Sequence, residues 1–220
     1  MPKAWFLAAP DELQALLDEV AHSQPGLHSE MRGTDLILSG EFVVAEGDTV
    51  CERYLVEIQV PPESKFHPPV VRETAGAFPW DASRHMEPDG KACIVLPDAF
   101  WYEYPDGMYL AEFIGGPLRS FFASQALLDL GLDAWPGGEW AHGNAGIIDF
   151  YEPLLGTNDP ERLADAMRIV QLPLARGHWI CPCGSNKKLR DCHMTTILEL
   201  RSRIPREIAA KTEQRLTVKK

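Results

Sequence analysis

Residues 50–74 read VCERYLVEIQVPPESKFHPPVVRET. In the first half the side chains alternate. Tyr54, Val56, Ile58 and Val60 fall on one side and Leu55, Glu57 and Gln59 on the other, the two-residue period of a half-buried strand. Pro61-Pro62 stops that strand, because proline cannot donate to a ladder. His67-Pro68-Pro69 then leads into a third short run ending at Thr74. Upstream, residues 34–44 contain DLILSGEFVV, with Gly40 the expected bulge or bend, and Glu46-Gly47-Asp48 forms a turn. Such short connections favour an antiparallel meander. Before it, Leu13, Leu16, Leu17 and Val20 share one helical face behind an acidic first turn. The fold class expected is α+β.

Beyond the meander, residues 75–104 are irregular and rich in Pro, Gly, Trp and Asp, which marks a functional loop. Residues 109–130 read as a helix that Gly115-Gly116-Pro117 kinks or restarts, with Gly131 at its end. A Gly- and Trp-rich loop covers 134–146. A further helix covers 160–170, capped by Asn158 or Asp159. From Thr195 the chain is helix-prone, with a break at Pro205.

The 220 residues suffice for one medium domain and a small appendage. No stretch approaches the ~20 apolar residues of a membrane span. The short apolar run before Pro10-Asp11 does not make a signal peptide, so the expected location is the cytoplasm. The net charge of −11 is uneven. Residues 175–220 hold eleven Lys/Arg against four Asp/Glu, a net of +7, which leaves −18 on residues 1–174. An acidic body excludes a broad nucleic-acid-binding face. The basic tail reads either as a solvated charged helix or as a surface for nucleic acid or an acidic partner.

Of five cysteines, Cys181, Cys183 and Cys192 lie within twelve residues. An odd, clustered set fits reduced thiols better than a disulfide framework. Residues 181–193 read CPCGSNKKLRDCH. Cys181, Cys183, Cys192 and His193 supply three thiolates and an imidazole, the donors zinc takes in closed tetrahedral sites. Four protein ligands leave no open position, so the Zn(2+) expected here is structural. With little core of its own, the segment should draw much of its folding energy from the metal. Its ligands, Pro182, Gly184-Ser185 and Lys187-Lys188 resemble the SEC-C motif, which implies a zinc site with a basic docking surface.

The other cysteine of interest is Cys93, in His85-Met-Glu-Pro-Asp-Gly-Lys-Ala-Cys93. The order helix, meander, long cysteine-bearing loop and helix resembles the ubiquitin-conjugating (UBC) fold over about residues 10–155. So do the proline-rich turn after Val60, Asp89-Gly90 just before Cys93, and His85 where the family's His-Pro-Asn motif begins. Met86-Glu87 replaces the Pro-Asn pair, so the oxyanion-stabilising asparagine is missing. The short His85-to-Cys93 spacing, the 121–125 segment FFASQ and the 140–146 segment WAHGNAG resemble the divergent bacterial branch found in CBASS and related antiphage operons.

This resemblance implies a UBC-like conjugating domain over 1–172, followed by a SEC-C segment over 173–194 and a basic helical tail over 195–220. It implies that Cys93 carries a ubiquitin-like protein, or the C-terminus of a CD-NTase-type nucleotidyltransferase, as a thioester to be passed to an amine. His85 would hold the loop, His142 would replace the lost asparagine, and Asp98 would orient or deprotonate the incoming amine. No Gly-rich nucleotide-binding segment follows a strand, so any ATP-dependent activation comes from a partner, such as a separate activating enzyme, or is bypassed. Two alternatives stay open: an inactive UBC-like adaptor that docks through its zinc segment, and a Cys–His (iso)peptidase using Cys93 and His142. Cys51, at the head of a strand, reads as structural.

Overall fold

β-branched and aromatic residues at alternate positions build the sheet. The computed structural model describes residues 4–132, 135–136, 141 and 143–218. Strands β1 (Leu27–Arg32), β2 (Asp35–Glu46), β3 (Thr49–Val60) and β4 (Val70–Glu73) pair antiparallel in the order β1-β2-β3-β4. The molecule is therefore α+β with a meander, as its sequence indicated, but the meander has four strands. The extra one, β1, shows one buried residue followed by five exposed, so it carries no alternation to read. The register shift falls between Val44 and Ala45 rather than at Gly40.

The chain divides into two compact units. The first comprises Met1–Ile94 and Gly107–Gly138; the second comprises Val95–Asp106 and Glu139–Lys220. In the first, Leu36, Leu38, Phe42, Tyr54, Val56 and Ile58 bury the inner face of the sheet. Helix α1 (Trp5–Ala8) is tied by Trp5 Nε1 to the carbonyl of Pro61, 2.9 Å away. Helix α2 (Pro10–Ser23) buries Leu16 and Val20, two members of its expected apolar face, while Leu13 stays partly covered.

Two further helices of this unit, α4 (Leu110–Phe113) and α5 (Arg119–Asp129), are joined by a π turn over Ile114–Leu118. Pro117 has no N–H for an α-helical bond, and the wider turn absorbs that loss without stopping the helix. Phe122 of α5 lies 5.3 Å from Phe42 and 4.6 Å from Tyr54, ring centre to ring centre, and buries them.

The second unit is helical: α3 (Pro97–Glu103), α6 (Asn144–Leu155), α7 (Pro160–Gln171), α8 (Met194–Arg203) and α9 (Arg206–Thr217). Asp159, one of the two expected caps, accepts the Glu161 N–H at 2.9 Å. Its core joins Ile147, Tyr151 and Leu155 to Leu163, Met167, Val170, Leu189, Ile197, Leu200, Ile204 and Leu216. Residues 173–194 and 195–220 both contribute buried side chains to this core. Among the described residues no helix is long and apolar enough to cross a membrane.

Candidate metal centre and cysteine loop

In the second unit, Arg176-Gly177 leads into a miniature ribbon. Ile180 bridges Lys188, and Cys181 N–H donates to the Lys187 carbonyl at 2.8 Å. A 3-10 turn, Leu189–Asp191, follows, and Leu189 is fully buried. The two halves of the ligand set thereby face each other. The donor atoms of Cys181, Cys183, Cys192 and His193 all lie within 4.8 Å of one another. Cys183 Sγ is 3.6 Å from Cys192 Sγ, and His193 Nδ1 is 3.3 Å from both Cys181 Sγ and Cys192 Sγ.

Zinc–sulfur bonds of ~2.3 Å and zinc–nitrogen bonds of ~2.0 Å in a tetrahedron give edges of about 3.7 and 3.5 Å. The donors therefore stand close to where such an ion needs them, and their chemistry fits it. Burial pushes the Cys181 thiol up to about 11. Burial also raises Cys183, but hydrogen bonds from the Ser185 hydroxyl and main chain outweigh it and bring that thiol down to about 6. A bound divalent cation favours the thiolate at all three positions.

Gly184 has a φ of +85°, and a Cβ there would lie 1.7 Å from Arg162 Nη1. Arg162 uses that space to donate to the Cys183 carbonyl at 3.1 Å. It is a supporting residue outside the motif, on α7, and no local pattern in the sequence points to it.

The loop carrying Cys93 belongs to the first unit. Three main-chain bonds lace it to β4 and to itself: Ala92 N to Val71 O (2.9 Å), Glu73 N to Gly90 O (2.9 Å) and Glu87 N to Lys91 O (2.8 Å). Gly90 has a φ of +79°, and a Cβ there would lie 2.7 Å from the Glu73 carbonyl and 3.1 Å from the Trp80 ring. Gly90 is thus demanded by the loop's path.

Cys93 is exposed. Its N–H donates to the His85 carbonyl at 2.8 Å. His85 is only 7% exposed, adopts a left-handed conformation (φ 52°), and packs its ring 4.4 Å from that of Trp135. Met86 is buried, and Glu87 pairs with Lys91 at 2.7 Å. His142 lies outside the described residues.

Two residues that the sequence did not single out hold this loop. Glu73, 1% exposed, accepts N–H bonds from Ala75 and Gly76 (2.8 Å each), Ala77 (3.3 Å) and Trp80 Nε1 (2.8 Å). Gln125, fully buried on α5, donates to the Arg84 carbonyl at 2.6 Å, and Arg84 pairs with Asp129 at 2.6 Å. Gln125 falls on the same helical face as Phe121 and Phe122, so an amide among buried rings was its available signal.

Asp98 is not a surface group awaiting an amine. It is 2% exposed inside the second unit, where Tyr151 donates to it at 2.6 Å and Thr212 at 2.7 Å. Cys51 is exposed on β3 and has its thiol 3.7 Å from the Thr49 carbonyl, so no packing role holds it.

A family model for the SEC-C motif, a zinc-binding motif in general, matches residues 180–195. This segment is similar to that class of metal-binding motif, and the match covers no more of the chain than that. No curated protein sequence and no solved structure matches the chain.

Proposed function

We propose that this protein is a UBC-like acyl transferase whose Cys93 carries a protein C-terminus as a thioester, and that a structural Zn(2+) held by Cys181, Cys183, Cys192 and His193 stabilises its helical unit. The observation that carries the transferase reading is the exposed Cys93 on a loop fixed by main-chain bonds and by the buried Glu73. A rigid display of one thiol suits a carrier, which must present the same activated carbonyl to successive partners. The cargo would be a ubiquitin-like protein or a nucleotidyltransferase C-terminus, in a bacterial antiphage setting. The acyl group is the cargo's own C-terminal carbonyl, activated by a partner enzyme where ATP-dependent activation is used.

In the transfer step an amine attacks the thioester carbonyl, and the developing oxyanion needs a donor. The Cys93 N–H is committed to the His85 carbonyl. Another group must therefore serve, and His142 is our assignment. His85 acts through its main chain and holds the loop. In the metal site, the ion supplies cross-linking charge while the ribbon and Leu189 hold the ligands in place.

The buried Met86, where the UBC family has its proline, and the absence of an amide at position 87 favour a second reading, a UBC-like adaptor without catalysis. Trapping separates the two. Wild type incubated with its activating enzyme and cargo should give a thiol-sensitive adduct. Cys93→Ser should give a thiol-resistant oxyester. No adduct with either protein overturns the carrier reading and leaves the adaptor. Cleavage of a linked substrate without activating enzyme would instead identify a Cys–His peptidase.

A further inference from the structure

The four metal ligands are not equivalent. Cys181 is 2% exposed and belongs to the helical core, beside Leu189 and below α7 and α8. Cys183 and Cys192 are only partly buried, and their sulfurs are 3.6 Å apart. A disulfide needs about 2.05 Å between sulfurs, so roughly 1.5 Å of approach would join this pair. Residues 184–186, the turn between the two halves of the ribbon, are all exposed and can take up that movement. Cys181 and Leu189, anchored in the core on either side, need not move.

We propose that Cys183 and Cys192 are an oxidation-sensitive pair through which a peroxide discharges the metal from this site. The inference rests on the metal reading above. One thiolate of the pair attacks the peroxide, forming an S–O bond, breaking O–O and releasing hydroxide. The second thiolate attacks the resulting sulfenic sulfur, forming S–S and expelling the other hydroxide. The two electrons lost by the sulfurs reside on the two peroxide oxygens. Cys181 and His193 remain as the only donors of the set, too few for a closed tetrahedral site. The new disulfide joins the two halves of the motif that the metal would otherwise hold together, so the site can be rebuilt by reduction.

The test uses the full chain with Cys51→Ser and Cys93→Ser, which removes the two other thiols. Zinc in the reduced protein is measured first; its absence would overturn the metal reading and this inference with it. Hydrogen peroxide is then added, released zinc is followed with a chromogenic chelator, and the products are mapped as peptides after alkylation. The expected result is loss of the bound zinc together with a Cys183–Cys192 linked product about 2 Da lighter. Cys181 should stay alkylatable, and a dithiol plus zinc should restore the starting state. Zinc retained while peroxide is consumed would overturn the inference. So would zinc lost with Cys181 in the bridge, or with sulfinic acids in place of a bridge.

Discussion

Asp98 shows what a single carboxyl can reveal about a core. It is buried, and it takes the hydroxyl protons of Tyr151 and Thr212 at 2.6 and 2.7 Å. Asp98→Ala strips the partner from both hydroxyls, and we expect a loss of about 2–4 kcal/mol in denaturant titration. Burial, opposed by those two hydrogen bonds, holds the carboxyl above the ordinary carboxylate range. The folded state therefore binds this proton more tightly than the unfolded chain. The associated stability is complete below the unfolded value of ~3.9 and is lost as pH rises through the folded one. Asp98→Asn cannot ionise. The stability of wild type relative to Asp98→Asn should therefore fall as pH rises above about 4, measured by urea unfolding at each pH. The sequence could not disclose this role. The two hydroxyls lie 53 and 114 residues downstream, and an aspartate after proline reads locally as an exposed helix start.

Elements were legible to the degree that their pattern was periodic and local. Strands β2 and β3, helix α7 with its Asp159 cap, and the break at Pro205 all follow from spacing. Strand β1, one-sided in burial only at Leu27, and helix α6, which begins directly after a Gly-rich loop and contains Pro153, did not follow. The Cys/His cluster was legible because its chemistry is crowded into thirteen residues. The support of the Cys93 loop was not, because Glu73 and Gln125 act across the fold.

That support can be tested. Glu73→Gln replaces one acceptor oxygen by a donor amide facing N–H groups, at a cost of about 1–3 kcal/mol. Amide exchange in residues 75–93 should quicken, measured by mass spectrometry, while α7 and α9 keep their protection. Unchanged exchange in the loop would show that Glu73 does not hold it. For the metal ribbon, ligation requires thiolates, so protons compete with the ion. Zinc retention should fall steadily as pH is lowered from 7 to 5, followed by metal analysis after gel filtration. Retention that does not change over that range would argue against thiolate ligation.

At the scale of the molecule, charge separates by unit rather than by position along the chain. The first unit holds eight Lys/Arg and nineteen Asp/Glu, a net of −11, whereas the second holds thirteen of each. The basic C-terminal stretch seen in the linear sequence is thus offset within its own unit by the acidic residues that run from Asp98 to Asp165. The Cys/His cluster likewise lies within one unit. Chelation should raise amide exchange in α7, α8 and α9 and leave β2 and β3 unchanged, since Cys181 and Leu189 belong to the helical core. Equal loss of protection in the strands would contradict that division.

The chain leaves its first unit at residue 95, contributes α3 to the second, and returns at residue 107 before leaving again near residue 139. Shortened versions of the protein are constrained by this threading. A fragment ending at residue 172 keeps Asp98 but discards Thr212, and with it the whole of α8 and α9. Such a truncation would leave α3 and α7 without α8 and α9, and Asp98 with one of its two hydroxyl donors, Tyr151. Insolubility of that piece would be a property of where the cut was made and would say nothing about whether Cys93 is an acyl carrier.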